Sequence, residues 1–340
     1  MSQPVEQIVR EGCTGLPPLS ARLEPWHLKV ARNPSAVREW VEVRGSPIHL
    51  LHTPPFLRNI KKLESVAEQR GIPLRVFFAR KANKCLAFVE EARQQNRGVD
   101  VASEIELLQA LECGCLPENL IVTAAVKSQS LCDLVARHRV VTALDNADEV
   151  RRLAQSARRC DEPLPVALRV SGFQVGDNKL FSRFGFDLHQ VRGAVDELWS
   201  QPAIRERLSL SGLHFHLDGY DADERVRAID QCLALIDDLR LQKHPIRFLD
   251  VGGGAPTSYL DDARQWEQFW EELRRALGGE RETITYQNYG FGLVVHEGQQ
   301  LGKARVYPYY QSPTRDQWLG QILDSPCDGD VSIVEGIRRR

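Results

Sequence analysis

The chain has 340 residues and a formal net charge of -2, and 42% of its residues are hydrophobic. This length suits one large domain or two ordinary ones, and the near-neutral charge argues against a nucleic-acid or membrane-surface partner. No signal peptide or membrane-spanning run is expected, because the first residues lack basic and apolar regions and no apolar stretch is long enough. Eight scattered cysteines without a zinc-type pattern predict reduced thiols and a cytoplasmic location.

The N-terminal segment, residues 1–50, is predicted to be irregular, with one strand at 48–52. A helix then begins at Thr53, and the apolar run 76–79 has the length and residue types of a buried strand that places Lys81 at its C-terminal end. Further strands are predicted at 99–102, 120–124, 140–144, 165–170, 208–216 and 246–251, each followed by a helical pattern.

About seven strand–helix units in series predict a parallel sheet with helical crossovers. Because the series shows no reversal point, we favour a closed (β/α)8 TIM-like barrel over an open doubly wound sheet. This barrel is assigned to residues 51–280. Residues 281–340 are interpreted as an insertion and the last portion of the barrel: 283–310 resembles a loop or irregular hairpin, and 331–334 fits either a strand or the start of a helix.

In a barrel of this kind the functional residues lie at the C-terminal ends of the strands. That edge provides a lysine that can form an imine, glycines whose amides can approach phosphate, and an imidazole that can stack on a flat ring. These are the requirements of a pyridoxal 5'-phosphate (PLP) site. Each feature alone has an ordinary structural explanation, since most lysines are surface residues and many glycine runs are tight turns. The candidates are Lys81, Asp100, Arg169, His214, His216, Gly252, Gly253 and Gly254.

The two histidines, His214 and His216, alternate along a predicted strand and would therefore point to the same face. A metal site is the competing interpretation, but a third ligand is not obvious because Asp218 lies on a turn. A histidine that packs in the barrel interior is the structural alternative for either residue. No metal is therefore expected.

Five segments in the same order resemble motifs of one family. The fold-type III PLP-dependent decarboxylases include diaminopimelate, ornithine and arginine decarboxylases and share their barrel with alanine racemase. The motifs of this group read FAxKAN, DVASxxEL, SKFG, GLHFHIGS and LDLGGG. The matching segments here read FARKAN at 78–83, VDVASEIEL at 99–107, SRFG at 182–185, GLHFH at 212–216 and LDVGGG at 249–254.

The resemblance implies an alanine racemase-like barrel with PLP as cofactor, and it implies roles for particular residues. Lys81 would hold PLP as an internal aldimine, and His216 would stack on the pyridine ring. The backbone of residues 252–254 would bind the phosphate. Asp100 and Arg169 would lie in the shell around the lysine and the ring.

The sequence departs from the family at two places. Asp218 and Gly219 replace the Gly-Ser of the histidine motif, so a phosphate-binding hydroxyl is absent and a carboxylate stands nearby, which is unfavourable for a dianion. No EPGR-type segment is present; the segment VEGIR at 334–338 is only weakly similar to it and lacks its proline. We therefore expect the usual C-terminal β-domain to be missing or truncated. A homodimer is implied only if that domain is present.

The predicted function is decarboxylation of a diamino or basic amino acid, such as diaminopimelate or ornithine. Two alternatives remain open. The chain is either a non-catalytic or truncated relative that binds a ligand or partner, or an amino-acid racemase.

Overall fold

The computed structural model describes residues 17–327 and 331–340. The chain divides into two compact units. Of the described residues, 56–255, 316–327 and 331–340 form the barrel unit, and 17–55 and 256–315 form the small unit. The domain boundaries near residues 50 and 280 stay a prediction.

The barrel unit is organised around a parallel sheet. Its path β1-β2-β3-β4-β5-β9-β10 follows the chain order, β8 pairs with β5, and β6 and β7 form a short antiparallel hairpin. Seven strands, rather than eight, make up the main path within the described ranges. The strands are β1 (Phe77–Ala79), β2 (Gly98–Val101), β3 (Leu120–Val122), β4 (Val141–Leu144), β5 (Leu164–Ser171), β6 (Gln174–Val175), β7 (Asn178–Lys179), β8 (Phe186–Asp187), β9 (Leu208–His214) and β10 (Phe248–Asp250).

Helices alternate with these strands, as the repeated βα pattern predicts, because parallel neighbours need a crossover connection. Several helices begin with a side-chain cap; for example, Ser103, Ser128 and Asn146 each accept a hydrogen bond from a backbone amide of the first turn. The helices are α1 (Pro25–Ala31), α2 (Pro34–Arg44), α3 (Pro54–Gln69), α4 (Leu86–Gln94), α5 (Glu104–Glu112), α6 (Gln129–His138), α7 (Ala147–Ser156), α8 (Val191–Trp199), α9 (Pro202–Arg205), α10 (Ala222–Leu241), α11 (Ala263–Leu277), α12 (Arg315–Asp324) and α13 (Ile333–Arg338).

The core of the barrel unit lies between its sheet and the helices of the same unit. Strand β5 is buried along nearly its whole length, as expected for a parallel strand covered on both faces. Helix α10 buries Val226, Ile229, Leu233 and Ile236, whose spacing of three and four residues forms one apolar stripe. Polar residues are buried near the C-terminal ends of the strands, so that edge is distinguished from the rest of the core.

The small unit differs from the sequence-based expectation. Residues 25–44 contain α1 and α2, where an irregular segment was predicted, because prolines at the helix starts and the Asn33 cap favour helices there. The predicted strand at 48–52 is wrong, since these residues form neither strand nor helix. The expected hairpin is present as β11 (Leu293–His296) paired antiparallel with β12 (Gln299–Gly302).

At the C-terminus, the segment 331–334 leads into helix α13 and does not form a strand of the sheet, which settles the alternative left open by the sequence. Ser332 caps this helix by accepting a hydrogen bond from the amide of Glu335. No helix of the described ranges is both long and apolar enough to cross a membrane.

Candidate active site

Lys81 lies in a single 3-10 turn, Arg80–Ala82, that directly follows β1. The neighbouring Arg80 is buried and donates from Nη1 to the carbonyl oxygen of Glu106 at 2.8 Å, which ties the turn to helix α5. The side chain of Lys81 itself is 44% exposed. The amine is therefore accessible while its backbone is held.

Asp100 is the partner of this lysine. Residue Ala79 pairs with Asp100 across β1 and β2, and this register brings Lys81 Nζ to 3.6 Å from Asp100 Oδ2. The hydroxyl of Thr123 donates to the other oxygen, Oδ1, at 2.6 Å. Burial raises the pKa of Asp100, while the Thr123 hydrogen bond and the charge of Lys81 oppose the shift. One oxygen is thus fixed and the other faces the lysine.

His214 and Asp250 form a second pair at the same edge. They are register partners on β9 and β10, and the His214 Nδ1–Asp250 Oδ2 distance is 2.8 Å. The amide of Gly252 donates to Asp250 Oδ1 at 2.9 Å. Burial alone would raise the pKa of Asp250. The charge of His214 and the hydrogen bonds from His214 and Gly252 have the larger effect, so the pKa is lowered. An ionised carboxylate therefore orients both the histidine ring and the start of the glycine segment.

His216 does not share the environment of His214. Strand β9 ends at His214, so the predicted strand over 208–216 is too long, and His216 lies beyond its end: His214 is buried and His216 is more exposed. That the two rings share one face stays a prediction. Partial burial of the ring, with the charges of Lys81 and Arg169, lowers the pKa of His216 from 6.5 to about 4. The imidazole is neutral near pH 7, which suits stacking on a flat ring.

Throughout residues 17–327 and 331–340, no group of three or more His, Cys, Asp or Glu side chains is arranged to hold an ion. His214 instead makes its hydrogen bond to the carboxylate of Asp250.

Arg169 lies near the end of strand β5 and is almost fully buried. Its Nη1 lies 3.4 Å from Asp145 Oδ2, and its guanidinium carbon lies 4.7 Å from the ring centre of Phe184. Gly185 has φ +81°, and a Cβ at this position would come 2.7 Å from the carbonyl oxygen of Arg169. The glycine of the 182–185 segment therefore allows this loop to pack directly on Arg169.

A buried network of ion pairs is connected to Arg169 through Asp145. Lys127, with 1% of its side chain exposed, places Nζ 2.8 Å from Glu149 Oε2 and 3.7 Å from Asp145 Oδ1. Glu149 also accepts hydrogen bonds from the amides of Lys127 and Asp145. The sequence offered no signal for Glu149, which has the position of an ordinary acidic residue in the first turn of α7. The network links two βα connections to the candidate site.

The glycine segment at 252–254 is shaped as an open loop. Gly252 and Gly254 have φ values of +70° and +94°, which residues other than glycine rarely adopt. A Cβ at Gly252 would meet the Phe215 carbonyl oxygen at 2.5 Å, whereas a Cβ at Gly253 would meet no atom within 4 Å. In the described part of the chain, the amides of Gly253 and Gly254 have no hydrogen-bond partner. Two backbone donors are therefore available to an anion.

These features fit a PLP group. The free amides of Gly253 and Gly254 suit its phosphate, the accessible amine of Lys81 suits its aldehyde, and the neutral ring of His216 suits its pyridine. Asp218, which replaces a small residue of the family motif, is exposed.

A glycine-to-alanine pair tests the loop geometry. We expect Gly252→Ala to lower the free energy of unfolding by about 1–3 kcal/mol, because its positive φ and the Phe215 carbonyl leave no room for a Cβ. Gly253→Ala is the matched control and should change it by less than about 0.5 kcal/mol. Urea denaturation of both variants measures the difference. Equal stability of the two variants would contradict the geometry.

A family profile described as the pyridoxal binding domain of the pyridoxal-dependent decarboxylases matches residues 57–287. The chain belongs to this family. The match contains all the candidate residues at the edge of the sheet. It confirms the family resemblance, and with it PLP as the cofactor.

Curated relatives of this decarboxylase-family chain match it at low identity. The uncharacterized protein y4yA of Sinorhizobium fredii is 27% identical over 301 residues, which cover 88% of this chain and 60% of that protein. Diaminopimelate decarboxylase of Bacillus subtilis is 24% identical over 232 residues, covering 65% and 52% of the two chains. The chain thus spans about half to three-fifths of the length of these relatives.

Solved structures of the family share the fold. Lysine decarboxylase from Selenomonas ruminantium superposes with a TM-score of 0.57 at 18% identity, covering 76% of this chain and 64% of that one. Diaminopimelate decarboxylase from Helicobacter pylori, complexed with L-lysine, gives a TM-score of 0.52 at 19% identity, covering 60% and 54%. The predicted alanine racemase-like barrel is thereby confirmed.

Proposed function

We propose that this protein is a PLP-dependent amino-acid decarboxylase in which Lys81 binds the cofactor covalently. The proposal rests on the accessible amine of Lys81, which lies 3.6 Å from the Asp100 carboxylate at the C-terminal edge of the sheet. The amides of Gly253 and Gly254, which have no hydrogen-bond partner among the described residues, follow the last strand at the same edge. When bound, PLP supplies the electron sink for the electrons released at Cα as CO2 leaves.

The remaining roles belong to the chain's own residues. The amides of Gly253 and Gly254 donate to the phosphate, and His216 presents a neutral ring face. Asp100, whose Oδ2 lies 3.6 Å from Lys81 Nζ, orients the lysine side chain at the strand ends. Arg169 shapes the wall of the site through its contact with Phe184.

The substrate we propose is a diamino or basic amino acid, such as diaminopimelate or ornithine. Low-identity relatives support this class, since they include diaminopimelate decarboxylases and the biosynthetic arginine decarboxylase of a Synechococcus strain. A cytoplasmic location, which rests on the scattered cysteines, is part of the same proposal, and so is a homodimer if the C-terminal β-domain is present.

A carboxyl-labelled substrate screen tests the function. The full chain, with PLP added, is incubated with diaminopimelate, lysine, ornithine or arginine, and released CO2 is measured. We expect release from at least one of them, and none from protein pre-reduced with borohydride in the presence of PLP. Exchange of the Cα proton without CO2 would instead indicate a racemase. Covalent PLP with neither reaction would indicate a non-catalytic relative.

A further inference from the structure

Arg225 is a buried cation beneath the glycine loop. It lies in the first turns of α10 and is 2% exposed. Its Nη1 donates to the carbonyl oxygen of Val251 at 2.6 Å, and its Nη2 donates to that of Gly253 at 3.2 Å. One guanidinium therefore holds the carbonyls on both sides of Gly252.

These two hydrogen bonds orient the loop amides. In a planar trans peptide the N–H points away from the preceding C=O. Because Arg225 holds the Gly253 carbonyl, the amide of Gly254 faces away from Arg225, where it has no partner among the described residues. Arg225 thus exposes this donor on the opposite side of the loop.

Trp318, a residue of helix α12, braces this arginine. The guanidinium carbon of Arg225 lies 5.0 Å from the ring centre of Trp318, a cation–π distance. The indole Nε1 of Trp318 donates to the carbonyl oxygen of Tyr220 at 2.9 Å. One aromatic side chain therefore contacts the arginine under the glycine loop and also fixes the connection that follows His216.

Among residues 17–327 and 331–340, no carboxylate forms an ion pair with Arg225, although the charge of Glu224 acts on it from a longer distance. The Nε of Arg225 is buried without a hydrogen-bond partner among the same residues. Burial lowers its pKa to about 10, with Glu224 opposing the shift, so the side chain stays protonated near pH 7. A buried, unpaired cation is costly unless a nearby anion compensates it.

We propose that Arg225, braced by Trp318, is a positioning residue for the phosphate of the cofactor. It orients the amides of the glycine loop and supplies positive charge on the far side of that loop. This inference rests on the proposed function, because it assumes that the loop receives the phosphate of PLP. Neither residue belongs to the motifs that the sequence revealed.

The test compares two non-covalent ligands that differ only in the phosphate, pyridoxine 5'-phosphate and pyridoxine. Their dissociation constants are measured by calorimetry for the full chain and for Arg225→Met, Arg225→Lys and Trp318→Phe. Arg227→Met is the matched control, since Arg227 is an exposed arginine on the same helix.

We expect Arg225→Met to raise the dissociation constant of pyridoxine 5'-phosphate about 10–100-fold, which is the range for loss of a charge-assisted hydrogen bond. The dissociation constant of pyridoxine should rise by less than about threefold. Arg225→Lys should restore part of the lost affinity for pyridoxine 5'-phosphate, and Trp318→Phe should weaken binding of this ligand by a smaller factor than Arg225→Met. Arg227→Met should match the wild type.

An unchanged affinity ratio in both Arg225→Met and Arg225→Lys would overturn the inference. Equal weakening of both ligands, with a lower melting temperature, would overturn it as well, because that pattern indicates a structural role alone. The proposed function fails by a different result, namely no covalent capture of PLP at Lys81 and no CO2 release, and the non-covalent ligand ratio does not depend on either.

Discussion

Replacing Lys81 with alanine is expected to abolish covalent capture of PLP and to lower CO2 release by about 10³-fold or more. The reason is positional, because Lys81 carries the amine that is both accessible and paired with Asp100 at the strand ends. Borohydride reduction of the PLP-treated protein, followed by peptide mapping, measures the captured cofactor. The rate of CO2 release is measured on the same preparations.

Lys84 offers a matched control in the same segment. Its side chain is 64% exposed, more than that of Lys81, but its ammonium forms an ion pair with Glu106 of helix α5. Lys84→Ala should therefore keep full covalent labelling. If Lys81→Ala retained the label at wild-type yield, the assignment of the cofactor-binding lysine would be refuted.

Lys127→Met is expected to have the largest effect on stability, lowering the free energy of unfolding by about 3–5 kcal/mol. Lys127 is the cation between two buried carboxylates, Glu149 and Asp145. Methionine fills a similar volume but leaves these carboxylates without that charge in a buried site. Urea denaturation, followed by circular dichroism, measures the change.

The control for this variant is an exposed ion pair on helix α7. Arg151 lies 3.2 Å from Asp148, and both side chains are well exposed. Arg151→Met should therefore cost less than about 1 kcal/mol, as for surface pairs in general. A loss of similar size in the two variants would show that the buried network contributes no more than a surface contact.

The sequence alone determined the order of strands and helices and the candidate lysine. These features depend on local patterns: the apolar run 76–79 predicts a strand, which the structure has at Phe77–Ala79 although only partly buried, and the residue that follows a strand lies at the C-terminal edge of a parallel sheet. The same reasoning placed Asp100 and Arg169 at that edge. The family resemblance rested on short segments that are contiguous in the chain, so it needed no knowledge of which residues meet in space.

Only the tertiary structure decided which side chains are partners. His214 and Asp250 are 36 positions apart, Arg225 and Val251 are 26 apart, and Lys127 and Glu149 are 22 apart. Sequence spacing carries no signal for such pairs, because the register of neighbouring strands and the packing of crossover helices bring them together. Tertiary structure also decided that β9 ends before His216, because strand length depends on hydrogen bonding to neighbouring strands and not on the residue pattern alone.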